Sequence, residues 1–212
     1  MINFAESKWY KAATVLWEMM FIGFLWTLFS LPIVTIGAST TALYYVATKK
    51  ISGKDNEYIF SAFWNSFKVN FVKATIIYLI LALVGFVAWF NFTLLPYVNI
   101  GGLTLPVRII LFFVLVQVIF ISSYVFAIIA RFETSIIGAL KAANFIANRH
   151  VFITITNLVL LLGILYVMFL VPVILLFMMG VYGYFSSFGI VKLFRRHYPD
   201  FEESIELPSE EV

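Results

Sequence analysis

Glu18 is the one carboxylate placed inside a long apolar stretch of this 212-residue chain. A carboxyl group in hydrocarbon has to be paired, neutralised or put to use. Glu18 stands two helical turns from Lys11, so Lys8, Lys11 or a base from a neighbouring loop is its expected partner. A transport or proton role is the alternative. Gln117, Ser122, Ser123 and Asn157 are the other mid-span polar groups. Interhelical hydrogen bonding is their expected use, at roughly 0.6 to 2 kcal/mol each, with substrate contact as the alternative. Pro32, Thr35, Gly37, Ser39, Thr40 and Thr41 cluster within ten residues. There the hydroxyls are expected to cap the start of a short helix, although a broken helix can also offer its N-terminus to a ligand. His150 and His197 lie far apart, each beside an arginine and without a second ligand at helical spacing. No metal or cofactor is expected from them. The chain has no cysteine, no His-Glu-x-x-His, no phosphate loop and no Gly-x-Ser-x-Gly, so no enzyme chemistry is indicated.

The elements that carry these groups are those of an integral membrane protein. Hydrophobic residues make up 63% and charged residues 12%, and mean hydropathy is +1.01, too apolar for a water-solvated surface. The net charge is +3, with 14 basic and 11 acidic residues, and six of the acids fall within residues 200–212. The rest is therefore basic, which serves to hold loops on the cytoplasmic side rather than to bind nucleic acid. We expect one helical domain over residues 1–197 and an acidic, disordered cytoplasmic tail over 198–212.

Charge-free intervals divide the chain. Thirty residues separate Glu18 from Lys49, interrupted by PIVTIG at Pro32 to Gly37, which predicts a hairpin. Its first arm, Ala12 to Leu31, is long enough to span. Its second, Ala38 to Thr48, covers only about 16 Å. Ala74 to Leu95 and Ile109 to Ala130 are 22 uncharged residues each, and Val151 to Val191 is 41, with Pro172 near its middle. That last interval predicts a second hairpin. With six segments and both termini inside, 13 of the 14 basic residues share the cytoplasmic side and only Arg108 lies outside, whereas four segments divide them 8 to 6. The positive-inside bias selects the six-segment, all-α arrangement.

Two intracellular connections have amphipathic spacing. Phe60, Phe63, Trp64, Phe67 and Phe71 recur opposite Asn65, Lys68 and Asn70, in a stretch that starts at Asp55. Ile136, Ile137, Leu140, Ala143 and Ala147 lie opposite Lys141, Asn144 and Asn148, after Glu133. Both predict helices lying on the cytoplasmic membrane surface, with Asn65, Lys68, Lys141 and Asn144 as a candidate docking face. A shift of 78 residues aligns Ile59 with Ile137, Phe67 with Phe145, Asn70 with Asn148 and Gly85 with Gly163, as an internal repeat or as coincidence of apolar composition. Tyr182 and Tyr184 read as interfacial anchors.

The segment LPIVTIGASTTALYYVATKK (Leu31 to Lys50) and the aromatic stretch YIFSAFWNSFKVNFVKAT (Tyr58 to Thr75) resemble the YesL-like family of bacterial integral membrane proteins, which carry a domain of unknown function. The resemblance rests on Pro32, Thr35, Gly37, Ala38, Thr41 and Tyr44, then on Phe63, Phe67, Asn70 and Phe71, and extends over about the first 95 residues. It implies a Gram-positive source and a genetic neighbourhood of sugar uptake and plant-polysaccharide breakdown. It implies no catalytic residue. The expected function is thus a non-enzymatic accessory or interaction component of the bacterial cell membrane, linked to carbohydrate uptake. Its expected partners are the bilayer and sugar ABC importer subunits. A small transporter or channel is the alternative.

Overall fold

Pro32, with φ −75° and ψ 114°, turns the chain out of its first helix, and a single 3-10 turn, Ile33–Thr35, leads it into the second. In the computed structural model, residues 8–53, 58–98, 101–171, 174–198 and 201 are described, and every element among them is helical. These are α1 (Lys8–Phe29), α2 (Ile36–Ile51), α3 (Ile59–Leu94), α4 (Thr104–Ile129), α5 (Ile136–Arg149), α6 (Val151–Leu170) and α7 (Leu175–His197). α3, α4, α6 and α7 are long and apolar enough to cross a membrane. The protein is a multi-pass helical membrane protein. The apolar part of α1, Ala13–Phe29, and the 16 residues of α2 give about 26 Å and 24 Å, short of a full 30 Å core.

α2 occupies the centre. Twelve of its 16 residues are buried, including Ser39, Thr41, Thr48 and Lys49, and it is packed among α1, α3, α4 and α7. A helix that lipid never touches needs no apolar exterior. Small and hydroxyl residues serve it better, because they allow backbones to approach. Gly37 shows this directly, since a Cβ there would lie 2.6 Å from the Ala74 carbonyl oxygen and 2.7 Å from the Tyr78 Cβ. The outer helices have the opposite composition. Phe86, Trp89, Phe113, Phe152 and Phe169 point away from the bundle, onto the surface that hydrocarbon covers.

Helix directions place the start of α1 and the end of α7 together. α1 and α2 run antiparallel, joined by Trp26 Nε1–H donating to Thr40 Oγ1 at 3.1 Å and by Glu18 meeting Lys50 at 2.8 Å. α7 runs antiparallel to α1, because Gly180 faces Met19 while Gly23 faces Phe177. The start of α1 and the ends of α2 and α7 therefore share one end of the bundle.

Three expectations change. The stretch beginning near Tyr58 is not a separate surface helix but the first part of α3, a continuous 36-residue helix of about 54 Å. No proline or glycine separates Asn70 from Thr75, so nothing stops the helix at the membrane. The middle of its aromatic stripe turns inward, with Phe63 and Phe67 buried and Phe29 of α1 within 5.2–5.6 Å of Phe63, Trp64 and Phe67, while Phe60 and Phe71 stay exposed. The second amphipathic stretch does form its own helix, α5, but lays Ala139, Ala143, Ile146 and Ala147 against α4. Third, the hydroxyls at the first hairpin do not cap α2. Thr35 has helical φ and ψ (−91°, −2°), which turns its Oγ1 away from the following N–H groups. Instead it donates to the carbonyls of Phe29 and Pro32, both at 2.6 Å, and so closes the end of α1. Thr40 and Thr41 donate back to Ile36 and Gly37 in the same way.

The second hairpin is present as α6 and α7; Pro172 lies outside the described residues, as do Asp55 and nearly all of the acidic tail. Under the 78-residue shift α3 matches α5 and α6 together. Asn70 and Asn148 each donate to a carbonyl one turn back, Ser66 and Asn144, but only the second segment breaks, at His150.

Candidate functional site at the basic end of the bundle

The end shared by α1, α2 and α7 also receives the end of α4, and the buried Arg131 ties these ends together. Arg131 lies two residues past the end of α4 and is 1% exposed. Its Nε–H donates to Thr48 Oγ1 at 2.8 Å, its Nη2 donates to the Tyr45 carbonyl, and its guanidinium stacks 4.2 Å from the Tyr45 ring. Carbonyls in the last turns of a helix carry partial negative charge, so a cation is stabilised at this place. The forked guanidinium meets a hydroxyl, a carbonyl and a ring face at once, which an ammonium could not do. Lys49, also buried, places its ammonium 5.6 Å from the same Tyr45 ring. Sequence reading assigned Arg131 only to a loop, since nothing in the letters separates a buried arginine after a span from an exposed one.

Glu18 pairs with Lys50 at 2.8 Å, with both side chains less than one-fifth exposed. The pair faces a groove of about 410 Å³ lined by Thr14, Trp17, Phe21, Tyr58 and Phe60. Glu18→Gln should reduce thermal stability by no more than about 2 kcal/mol, a value between exposed and fully buried pairs. Normal stability together with loss of a cellular phenotype would point to a transport role instead.

Gln117 joins α4 to α5 through a reciprocal amide pair, Nε2–H to Asn148 Oδ1 at 3.1 Å and Asn148 Nδ2–H to Gln117 Oε1 at 3.2 Å. Asn148 also bonds Asn144, so Asn144 belongs to a polar ladder on α5, beside the exposed Lys141. Asn65 and Lys68 lie on α3, with the Lys68 ammonium 5.7 Å from the Trp64 ring. α5 packs chiefly on α4, whereas α3 packs chiefly on α2. Ser122 and Ser123 bond carbonyls of their own helix. Asn157 is buried in α6, and its Nδ2 has no hydrogen-bond partner among the described residues; the same holds for Ser39 Oγ.

The interior is bound together by hydroxyls that sequence reading did not connect. Tyr44 Oη lies 3.4 Å from Tyr182 Oη and 3.3 Å from Ser186 Oγ, linking α2 to α7. Tyr124 Oη lies 3.0 Å from Thr154 Oγ1, linking α4 to α6. Tyr182 is thus buried and not an interfacial anchor, because its ring faces α2.

His150 and His197 meet, although 47 positions separate them. Their Nε2 atoms are 2.8 Å apart, a hydrogen-bond separation. Two nitrogens on one tetrahedral ion at 2.0–2.1 Å would stand about 3.3 Å apart. Burial lowers the pKa of His150, and His197, Arg196 and Arg149 lower it further. A depressed histidine pKa favours the folded state above the unfolded value. That contribution should be lost as pH falls below about 6.5 and through the lower folded value. Thermal midpoints across this window should decline for the natural chain and decline less for His150→Gln.

Residues 14–92 match a family model described as a protein of unknown function, DUF624. The chain is 27% identical over 162 residues to "Uncharacterized protein YteU" of Bacillus subtilis (strain 168), which covers 74% of this chain and 72% of that protein. No solved structure matches. The matched residues 14–92 include the first hairpin, most of α3, Glu18, Lys50 and the Gly37 contact. Arg131, α5 and the histidine pair lie outside them.

Proposed function

We propose that this protein is a YesL-like, non-enzymatic accessory or interaction component of the bacterial cell membrane. In this reading it acts with the subunits of a sugar ABC importer in carbohydrate uptake or utilisation. The observation that carries the reading is the construction of the basic end. Buried contacts of Arg131 and the Glu18–Lys50 pair hold the helix ends, while Lys192 and Arg196 of α7 stay exposed. The interior hydroxyls of Tyr44, Tyr182, Ser186, Tyr124 and Thr154 bond one another, a use that favours holding helices over lining a solute path.

Affinity purification of the full chain from its native membrane after cross-linking tests this. Recovery of an importer subunit supports the accessory role. Solute flux into liposomes containing the protein alone would replace it with the transporter reading.

The orientation that accompanies this proposal puts both termini and the basic end in the cytoplasm, with Gly101–Leu103 and Arg108 outside. The chain has no native cysteine, so single cysteines report cleanly. A cysteine at position 102 should react with an impermeant reagent in intact cells, and one at position 53 should not. Reaction at position 53 with protection at 102 would invert the topology.

A further inference from the structure

We propose that His150 and His197, together with Arg149 and Arg196, form a binding site for the phosphate of an anionic lipid at the edge of the bilayer. Position is the first support. His150 immediately precedes α6, a 20-residue apolar span, and His197 is the last residue of α7. Both residues therefore stand at the ends of apolar spans. Charge is the second. Among the described residues, the charged groups acting on His150 are His197 and Arg196 from α7 and Arg149 from α5, all basic. A basic pocket between membrane helices at headgroup level is suited to an anionic headgroup. An aromatic ring joins the cluster, because the Arg149 guanidinium lies 5.6 Å from the Phe145 ring and the His197 ring meets that ring edge-on at 6.3 Å.

A lipid fits better than a free anion because an apolar surface continues directly from the site. Phe152, Ile155, Val159 and Leu162 are all exposed along α6 and offer a face to the acyl chains. Proton accounting follows from the ring contact. With both rings neutral, one Nε2–H donates to the other Nε2 across 2.8 Å, and the pair has no second Nε2 donor to offer. Uptake of one proton from solvent converts the acceptor into a donor. The two Nε2–H groups then both turn to phosphate oxygens, whose negative charge offsets that of the imidazolium beside two arginines. Binding should therefore strengthen as pH falls through the histidine range.

The test uses the full chain in a neutral detergent, titrated with dioctanoyl phosphatidylglycerol, whose charge is constant over this range. Dioctanoyl phosphatidylcholine and inorganic phosphate are the comparison ligands. The phosphatidylglycerol should raise the thermal midpoint and bind several-fold more tightly near pH 6 than near pH 7.5. Replacing both histidines by glutamine should abolish that pH dependence. Arg149→Gln combined with Arg196→Gln, at two exposed positions that leave the fold intact, should weaken binding about tenfold at both pH values. Equal binding of phosphatidylcholine would overturn the proposal, as would unchanged affinity in the arginine double variant. An equal effect of inorganic phosphate would overturn the lipid assignment and leave a site for a free anion.

Discussion

Gly180→Ala should destabilise this protein by about 3 kcal/mol or more, an effect out of proportion to one methyl group. A Cβ at position 180 would lie 1.9 Å from the Met19 carbonyl oxygen and 2.6 Å from the Gly23 nitrogen, and one at Gly23 would lie 2.5 Å from the Phe177 carbonyl oxygen. Each glycine accepts the backbone of the other helix into the space a side chain would fill. No flexible side chain is available to give way, so α1 and α7 would have to separate along their contact. In lipid that contact depends on close packing, because burying apolar surface there gains little over leaving it in hydrocarbon. Gly163→Ala is the matched control. It lies in α6 with nothing within 4 Å of the added Cβ, and the better helix propensity of alanine should leave stability unchanged or slightly raised. Thermal unfolding of both variants in detergent decides the matter, and similar midpoints would remove the α1–α7 crossing as a determinant of the fold.

Arg131→Met should cost about 3 kcal/mol, the second large effect. The substitution leaves the Tyr45 carbonyl and Thr48 hydroxyl without their charged donor and removes the guanidinium from the Tyr45 ring. Arg131→Lys retains the charge but not the fork, and should recover less than half of the loss. Arg149→Met, at an exposed position, should change stability little. If Arg131→Met and Arg149→Met melt together, the buried arginine is not what ties α4 to α2.

The sequence by itself determined where the chain turns and how its charges are shared. Pro32 and Gly37 marked the first hairpin, the charge-free intervals marked α3, α4, α6 and α7, and the basic residues at the ends of α2, α4 and α7 fell at one end of the bundle. These features are local, since a proline or a run without charge acts through its own backbone or its own transfer to lipid. Only the tertiary structure decided which face of each helix meets protein. Lipid and protein interior are both apolar, so Phe63 facing Phe29 and Phe86 facing hydrocarbon look alike in a sequence. For that reason the aromatic stripe of α3 read as a membrane float, whereas its Phe63 and Phe67 proved to be core. The same reason hid the place of α2, whose short and comparatively polar sequence suited neither a span nor a loop until four helices were seen to surround it. Arg131 and the histidine pair depend on contacts across 83 and 47 positions, and no spacing rule along one chain reaches that far.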